Sequence, residues 1–126
     1  MLVEFKNFLS SLKEVSDITI EQDTISFQYK ELFFLFAIDE TDPYYIRLIL
    51  PNIATLDNLK EGIVAHVMVN DYNSKFKTVK MCLWNNFIWL SIEQFIYSKE
   101  KATELFSRMI NILVSVITEF RNENLR

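Results

Sequence analysis

Apolar residues at positions 2, 5, 8, 9, 12 and 15 recur at helical spacing, with Glu4, Lys6, Lys13 and Glu14 opposite them, and predict a first helix over residues 2–15. The period then drops to two. Ile18 and Ile20, then Ile25, Phe27 and Tyr29, alternate with polar residues as strands with one wet face do. Residues 32–38 are apolar throughout and predict a third strand; residues 44–50 predict a fourth, interrupted only by Arg47. Gln22-Asp23, Lys30-Glu31 and the polar run 39–43 supply turns between them, so the four strands read as an antiparallel meander.

Pro51 is expected to end the meander. A second helix is predicted over residues 55–70, with Leu56, Leu59, Ile63 and Val67 on one face and Asp57, Lys60 and Glu61 elsewhere. Residues 75–83 and 87–95 then form a hairpin around Asn85-Asn86, a pair that tolerates positive φ. Ser98 is placed to cap a last helix that runs to about Asn122. The order α-β-β-β-β-α-β-β-α predicts an α+β fold, one antiparallel sheet with helices packed on it, in a single domain over residues 1–126.

Two segments carry more apolar surface than one covered sheet face needs. Residues 32–38 and 87–90 lack the alternation of a strand with a wet side. The last helix spreads its apolar residues over roughly 200°, against the ~100° stripe that packing on one layer requires. Ala102, Phe106, Met109, Leu113, Val116 and Phe120 form one side, and Ile110, Val114 and Ile117 widen it. Either the chain's own helices wrap both sides of the sheet, or another chain covers what is left. The candidate partner-binding residues are therefore Phe34, Phe36 and Trp89 on strands, with Ile110, Val114 and Ile117 on the helix.

Composition agrees with a folded domain: of 126 residues, 50% are hydrophobic and 24% charged, unlike a disordered chain. A net charge of −4 and a pI near 5.0 argue against general nucleic-acid binding. The charge is uneven, with 5 Lys/Arg against 11 Asp/Glu in residues 1–70 and 8 against 6 in residues 71–126. Lys75, Lys77 and Lys80 supply much of the basic side and read as a solvated edge. One cysteine excludes an internal disulfide framework. Residues 1–12 lack the pattern of a signal peptide and no apolar run has membrane length, so the cytoplasm is the expected location.

Candidate chemistry is sparse. The single glycine, Gly62, falls inside the predicted second helix, and phosphate-cradling loops need clustered glycines. His66 borders the same helix's apolar stripe, without a nucleophile or orienting acid beside it in sequence. Cys82, between Met81 and Leu83, is expected to be a buried, inert thiol. Asp39, Glu40 and Asp42 read as a solvated turn closed by Pro43, with too few oxygen ligands for calcium. No catalytic residue, metal site or cofactor is expected. Arg47, alone among apolar strand neighbours, is expected to reach a carboxylate or the sheet edge.

Ile25-Ser26-Phe27-Gln28-Tyr29, residues 32–38 leading into Asp39-Glu40-Thr41-Asp42-Pro43-Tyr44-Tyr45-Ile46-Arg47-Leu48, Asn70, Lys77-Thr78-Val79-Lys80 and Ile88-Trp89-Leu90-Ser91-Ile92-Glu93 resemble the YbjN family, within the type III secretion chaperone-like fold. With the element order, the resemblance covers about residues 17–120. It implies helices packed on one sheet and, by its secretion branch, small acidic homodimers that hold extended client segments. The extra strand at Ile18–Ile20 departs from that pattern. The expected function is a non-enzymatic protein-interaction domain, chaperone-like or regulatory, forming a homodimer or binding a protein client, with no nucleic acid or membrane partner. The alternative is a small-molecule sensor, its apolar pocket between sheet and helices lined by Phe33, Phe36, Trp89 and Met109.

Overall fold

The computed structural model describes residues 2–39, 41–96 and 102–126. Its elements follow the expected order: α1 (Leu2–Ser10), β1 (Val15–Glu21), β2 (Thr24–Tyr29), β3 (Leu32–Asp39), β4 (Asp42–Thr55), α2 (Ala65–Lys75), β5 (Val79–Trp84), β6 (Phe87–Phe95) and α3 (Ala102–Asn124). The fold is α+β. The six strands form one antiparallel sheet in the order β1-β2-β3-β4-β6-β5.

With one glycine in the chain, other residues must take the left-handed conformation at the hairpins. Lys30 (φ 51°) and Glu31 (φ 64°) both do so in the two-residue turn between β2 and β3, Gln22 (φ 54°) does so between β1 and β2, and Asn85 (φ 55°) between β5 and β6. Two consecutive positive φ values give the turn whose twist matches the strands it joins. That turn sets the β2–β3 register, Phe27 opposite Phe34 and Ile25 opposite Phe36.

One face of the sheet is therefore built from Ile25 and Phe27, Leu32, Phe34 and Phe36, Ile46, Leu48 and Leu50, Ile88, Leu90 and Ile92, Val79 and Met81, all buried. Onto it α1 places Phe5 and Leu9, and α3 places Phe106, Met109, Ile110, Leu113, Val116, Ile117 and Phe120. Phe5, Phe36 and Phe106 meet with ring centroids 4.3–5.1 Å apart, and Phe27 stacks on Phe34 at 5.2 Å. Four of the residues proposed above for partner binding are thus corrected. Phe34, Phe36, Ile110 and Ile117 are spent on the chain's own core, each at most 3% exposed. The broad arc of α3 is used by packing against a wide, twisted sheet and α1 together.

Several boundaries differ from expectation: the first helix ends at Ser10 rather than at residue 15, and Val15 already opens β1. Pro51 does not end β4, because it sits in a bulge: residues 51–53 lie opposite Trp89 alone, with Asn52 at φ 51°. The helix predicted over residues 55–70 is displaced. Leu56–Asn58 makes a single 3-10 turn, and backbone bonds from Lys60 N–H to Asn124 O (2.7 Å) and from Arg126 N–H to Asn58 O (3.1 Å) tie this segment to the end of α3. Gly62, at φ +84°, is in the loop before α2 rather than inside a helix. Lys75 consequently ends α2 instead of opening β5. Ser98, expected as the cap of α3, lies outside the described residues.

Lys30 and Glu31 each hold a conformation that costs an ordinary L-residue roughly 1–2 kcal/mol relative to glycine. Replacing the pair by Asn-Gly (Lys30→Asn, Glu31→Gly) should stabilise the protein by about 1 kcal/mol. Urea unfolding checks this: an unchanged or lower midpoint means that the turn is not strained.

Candidate functional site

Strand alternation turns the remaining side chains to the other face, which no described helix covers. Phe33, Leu35 and Ala37 from β3 stand there beside Tyr45, Arg47 and Ile49 from β4, Trp89, Ser91, Glu93 and Phe95 from β6, and Lys80, Cys82 and Trp84 from β5. The registers give their neighbours: Leu35 against Ile49, Ile49 against Ser91, Trp89 against Cys82, Trp84 against Phe87, and Tyr45 against Phe95. Phe33 is 47% exposed, Trp84 58% and Phe95 56%, large apolar groups left in water on one surface. Ile49 is buried by its neighbours. Trp89 packs edge-on to Trp84 at 5.2 Å and donates its indole N–H to Asn52 Oδ1 at 2.8 Å, so the β4 bulge holds the ring down.

A charged group crosses this apolar face. Glu93 accepts the Tyr45 hydroxyl at 2.5 Å and faces Arg47 Nε at 3.5 Å and Lys80 Nζ at 3.6 Å. The Tyr45 hydrogen bond holds the Glu93 carboxyl below its usual range, Lys80 and Arg47 add to the effect, and partial burial opposes it. The same bond, with burial, pushes the Tyr45 phenol up. Arg47 thus reaches a carboxylate, as expected. Both cations remain about half exposed, so the pairs contribute little individually. At the corner where β5 begins, Asn73, Phe76, Lys77, Thr78, Val79, Lys80 and Glu93 line a hollow of about 320 Å³.

The two free edges of the sheet are unlike its open face. Asn73 of α2 donates its amide to Met81 O (2.9 Å) and accepts Met81 N–H (2.7 Å), occupying the place of a peptide group on a seventh strand. β1 is bulged at Asp17 (φ 54°). Both are devices that close edges to further strands.

Of the remaining candidates, Trp89 belongs to the open face and Val114 is half-buried on α3. Cys82 is exposed, not buried: its apolar sequence neighbours Met81 and Leu83 point the opposite way, which is a consequence of the strand period. His66 is exposed in the first turn of α2. Asp39 accepts the Thr41 amide (2.9 Å) and hydroxyl (2.7 Å), which lower its pKa and make it a turn residue. Glu40 is outside the described residues. No group of three or more His, Cys, Asp or Glu among the described residues could hold a metal ion. The pocket expected from Phe33, Phe36, Trp89 and Met109 does not form, because Phe33 and Trp89 stand on one face of the sheet and Phe36 and Met109 on the other. No helix among the described residues is long and apolar enough to cross a membrane. Comparison with family models, curated proteins and solved structures finds no match to this chain.

Two outcomes follow from this geometry. Asn73→Ala leaves the Met81 amide and carbonyl without partners, which should cost about 1–3 kcal/mol; hydrogen exchange at the Met81 amide should accelerate, and unchanged protection would show that the edge is not sealed this way. Glu93 has a depressed folded-state pKa, so its stabilisation is present at neutral pH and is lost as pH falls below the ordinary 4.5 through the lower folded value. Tyr45→Phe should therefore destabilise by about 1 kcal/mol or less at pH 7, with the difference shrinking in acid. Thermal unfolding of both proteins across pH 2–7 reads it, and a difference that is flat with pH excludes the link.

Proposed function

We propose that this domain is a non-enzymatic protein-interaction module, chaperone-like or a regulatory adaptor, that holds a segment of another protein on its open sheet face. The observation that carries the proposal is that face itself, on which Phe33, Trp84 and Phe87 are exposed, Leu35 and Trp89 partly so around the buried Ile49, and over which no described helix lies. The exposed aromatic side chains are spread over β3, β5 and β6 on one side of the sheet. Grouped exposed apolar side chains of this kind mark interaction sites on soluble proteins. Leaving each large side chain in water forgoes roughly 1.5–3 kcal/mol of burial, a cost that an occupant would recover.

The resemblance to YbjN-like and secretion-chaperone proteins supports the same reading, and the expected setting is the cytoplasm. The reading is non-enzymatic because His66, Cys82 and Gly62 fall on α2, on β5 and in the loop before α2, and none forms a pair suited to nucleophilic or phosphate chemistry. A second copy competes for the face, and a homodimer built on it would be isologous.

The test is suppression of aggregation of reduced insulin, read by light scattering, with the wild-type domain and with Phe33→Ser/Trp84→Ser. Both substituted residues are exposed, so the variant should keep its thermal midpoint. The wild type should slow aggregation several-fold and the variant should not. Equal suppression by both, or none by either, overturns the proposal.

A further inference from the structure

We infer that the segment taken by the open face is acidic as well as apolar, with a carboxylate side chain seated among Lys77, Lys80 and Arg47. The inference rests on the interaction reading above and adds the partner's chemistry to it. Lys77, Lys80 and Glu93 line the hollow at the start of β5, and Arg47 pairs with the same Glu93 from the neighbouring strand. Glu93 is shared by Arg47 and Lys80 at 3.5 and 3.6 Å, and is further engaged by the Tyr45 hydroxyl. Among the described residues Lys77 forms no ion pair. The corner therefore carries a local excess of positive charge on a protein whose net charge is −4.

The arrangement is suited to receive a second carboxylate. Glu93 holds both partner cations in place, so less side-chain freedom is lost when an anion arrives. Thr78 lines the same hollow, and its hydroxyl can supply a polar contact. Phe33, Leu35, Ile49 and Trp89 lie on the same face, so an apolar side chain and a carboxylate of one extended segment can be engaged together. Occupancy would bury more of the three cations and strengthen each pairing by removing water.

A nucleic-acid strand offers anions too, and exposed aromatic rings can stack with bases. The geometry disfavours it. Trp84 and Trp89 contact each other edge-on at 62° rather than lying open in a row, Glu93 stands inside the basic group, and the remaining surface is acidic overall. A protein segment satisfies both the apolar and the charged halves of the site.

Both tryptophans of the chain stand on this face, so intrinsic fluorescence reports its occupancy without a label. The probes are two synthetic 12-residue peptides with identical leucine positions, one carrying Glu and the other Lys at the remaining sites, and an oligothymidylate of the same length. The Glu peptide should bind about tenfold more tightly than the Lys peptide at low ionic strength, with the gap closing as salt is raised. Lys77→Gln/Lys80→Gln should erase the preference by weakening the Glu peptide without weakening the Lys peptide, with Lys77→Gln alone as the milder variant if the pair unfolds. Equal binding of the two peptides overturns the acidic partner while the interaction reading survives. Failure of both peptides together with failure of the aggregation assay overturns both. Tighter binding of the oligothymidylate than of the Glu peptide also overturns the inference, and assigns the face to nucleic acid.

Discussion

Lys30 and Glu31 form a turn of two residues, both at positive φ, and that turn allows only one alignment of β2 with β3. Everything on either side of the sheet depends on it. In this register Phe34 and Phe36 join Phe27 and Ile25 under α1 and α3, while Phe33 and Leu35 face out. A slip by one residue would exchange the two sets, bringing the exposed Phe33 into the core and driving Phe34 and Phe36 into water. The core tolerates no such exchange, since Phe36 is locked between Phe5 and Phe106 with centroids at 4.3 and 4.8 Å.

Because α1 and α3 pack on the inner side, the described residues form one layer of helices on one sheet, and none of the described helices covers the other face. Such a sheet is ordinarily blunted by polar side chains on its wet side. Here Thr24, Ser26 and Gln28 do this on β2, and Phe33, Leu35, Ile49, Trp89 and Trp84 do not on β3, β4, β6 and β5. The asymmetry runs across the face, with the polar half toward β1 and the apolar half toward β5. The edges are closed by other means, through Asn73 on Met81 and the bulge at Asp17. A partner is therefore offered side chains on a surface, not backbone along an edge.

The sequence held most of this fold but only half of the site. The period-two alternation at residues 25–29 and the period change before residue 100 identified strands and helices by type, and residues 87–95 were bounded correctly because Asn85-Asn86 and the apolar run mark both ends. In residues 32–38 every position is apolar, so alternation within that strand does not choose its inner face, and Phe34 and Phe36 read equally well as partner-facing residues. The choice was available one strand earlier. Ser26 and Gln28 fix Ile25 and Phe27 as the inner residues, and a two-residue turn carries that parity to Phe34 and Phe36. Cys82 follows from the same rule applied to Met81. The segment from Leu56 to Gly62 was not readable in this way, since its helical stripe is real in sequence but its backbone is bonded to residues 124–126, a contact that no local pattern encodes.

The placement of Glu93 connects the two halves of the open face. It lies opposite Arg47 in the β4–β6 register, two residue pairs along from the Ile49–Ser91–Lys80 row on the same face, so its carboxylate is within reach of cations from strands on both sides. Without it, Arg47 and Lys80 would have no carboxylate between them and would swing apart into water. With it, both are kept beside the apolar rows while retaining half of their exposure. The Tyr45 hydroxyl completes the arrangement by favouring the ionised form of Glu93, so the group stays charged through the neutral range. A face that were merely hydrophobic would need none of this. An anchored group of cations bordering exposed aromatic side chains is what a surface needs if it is to discriminate among apolar segments by their charge.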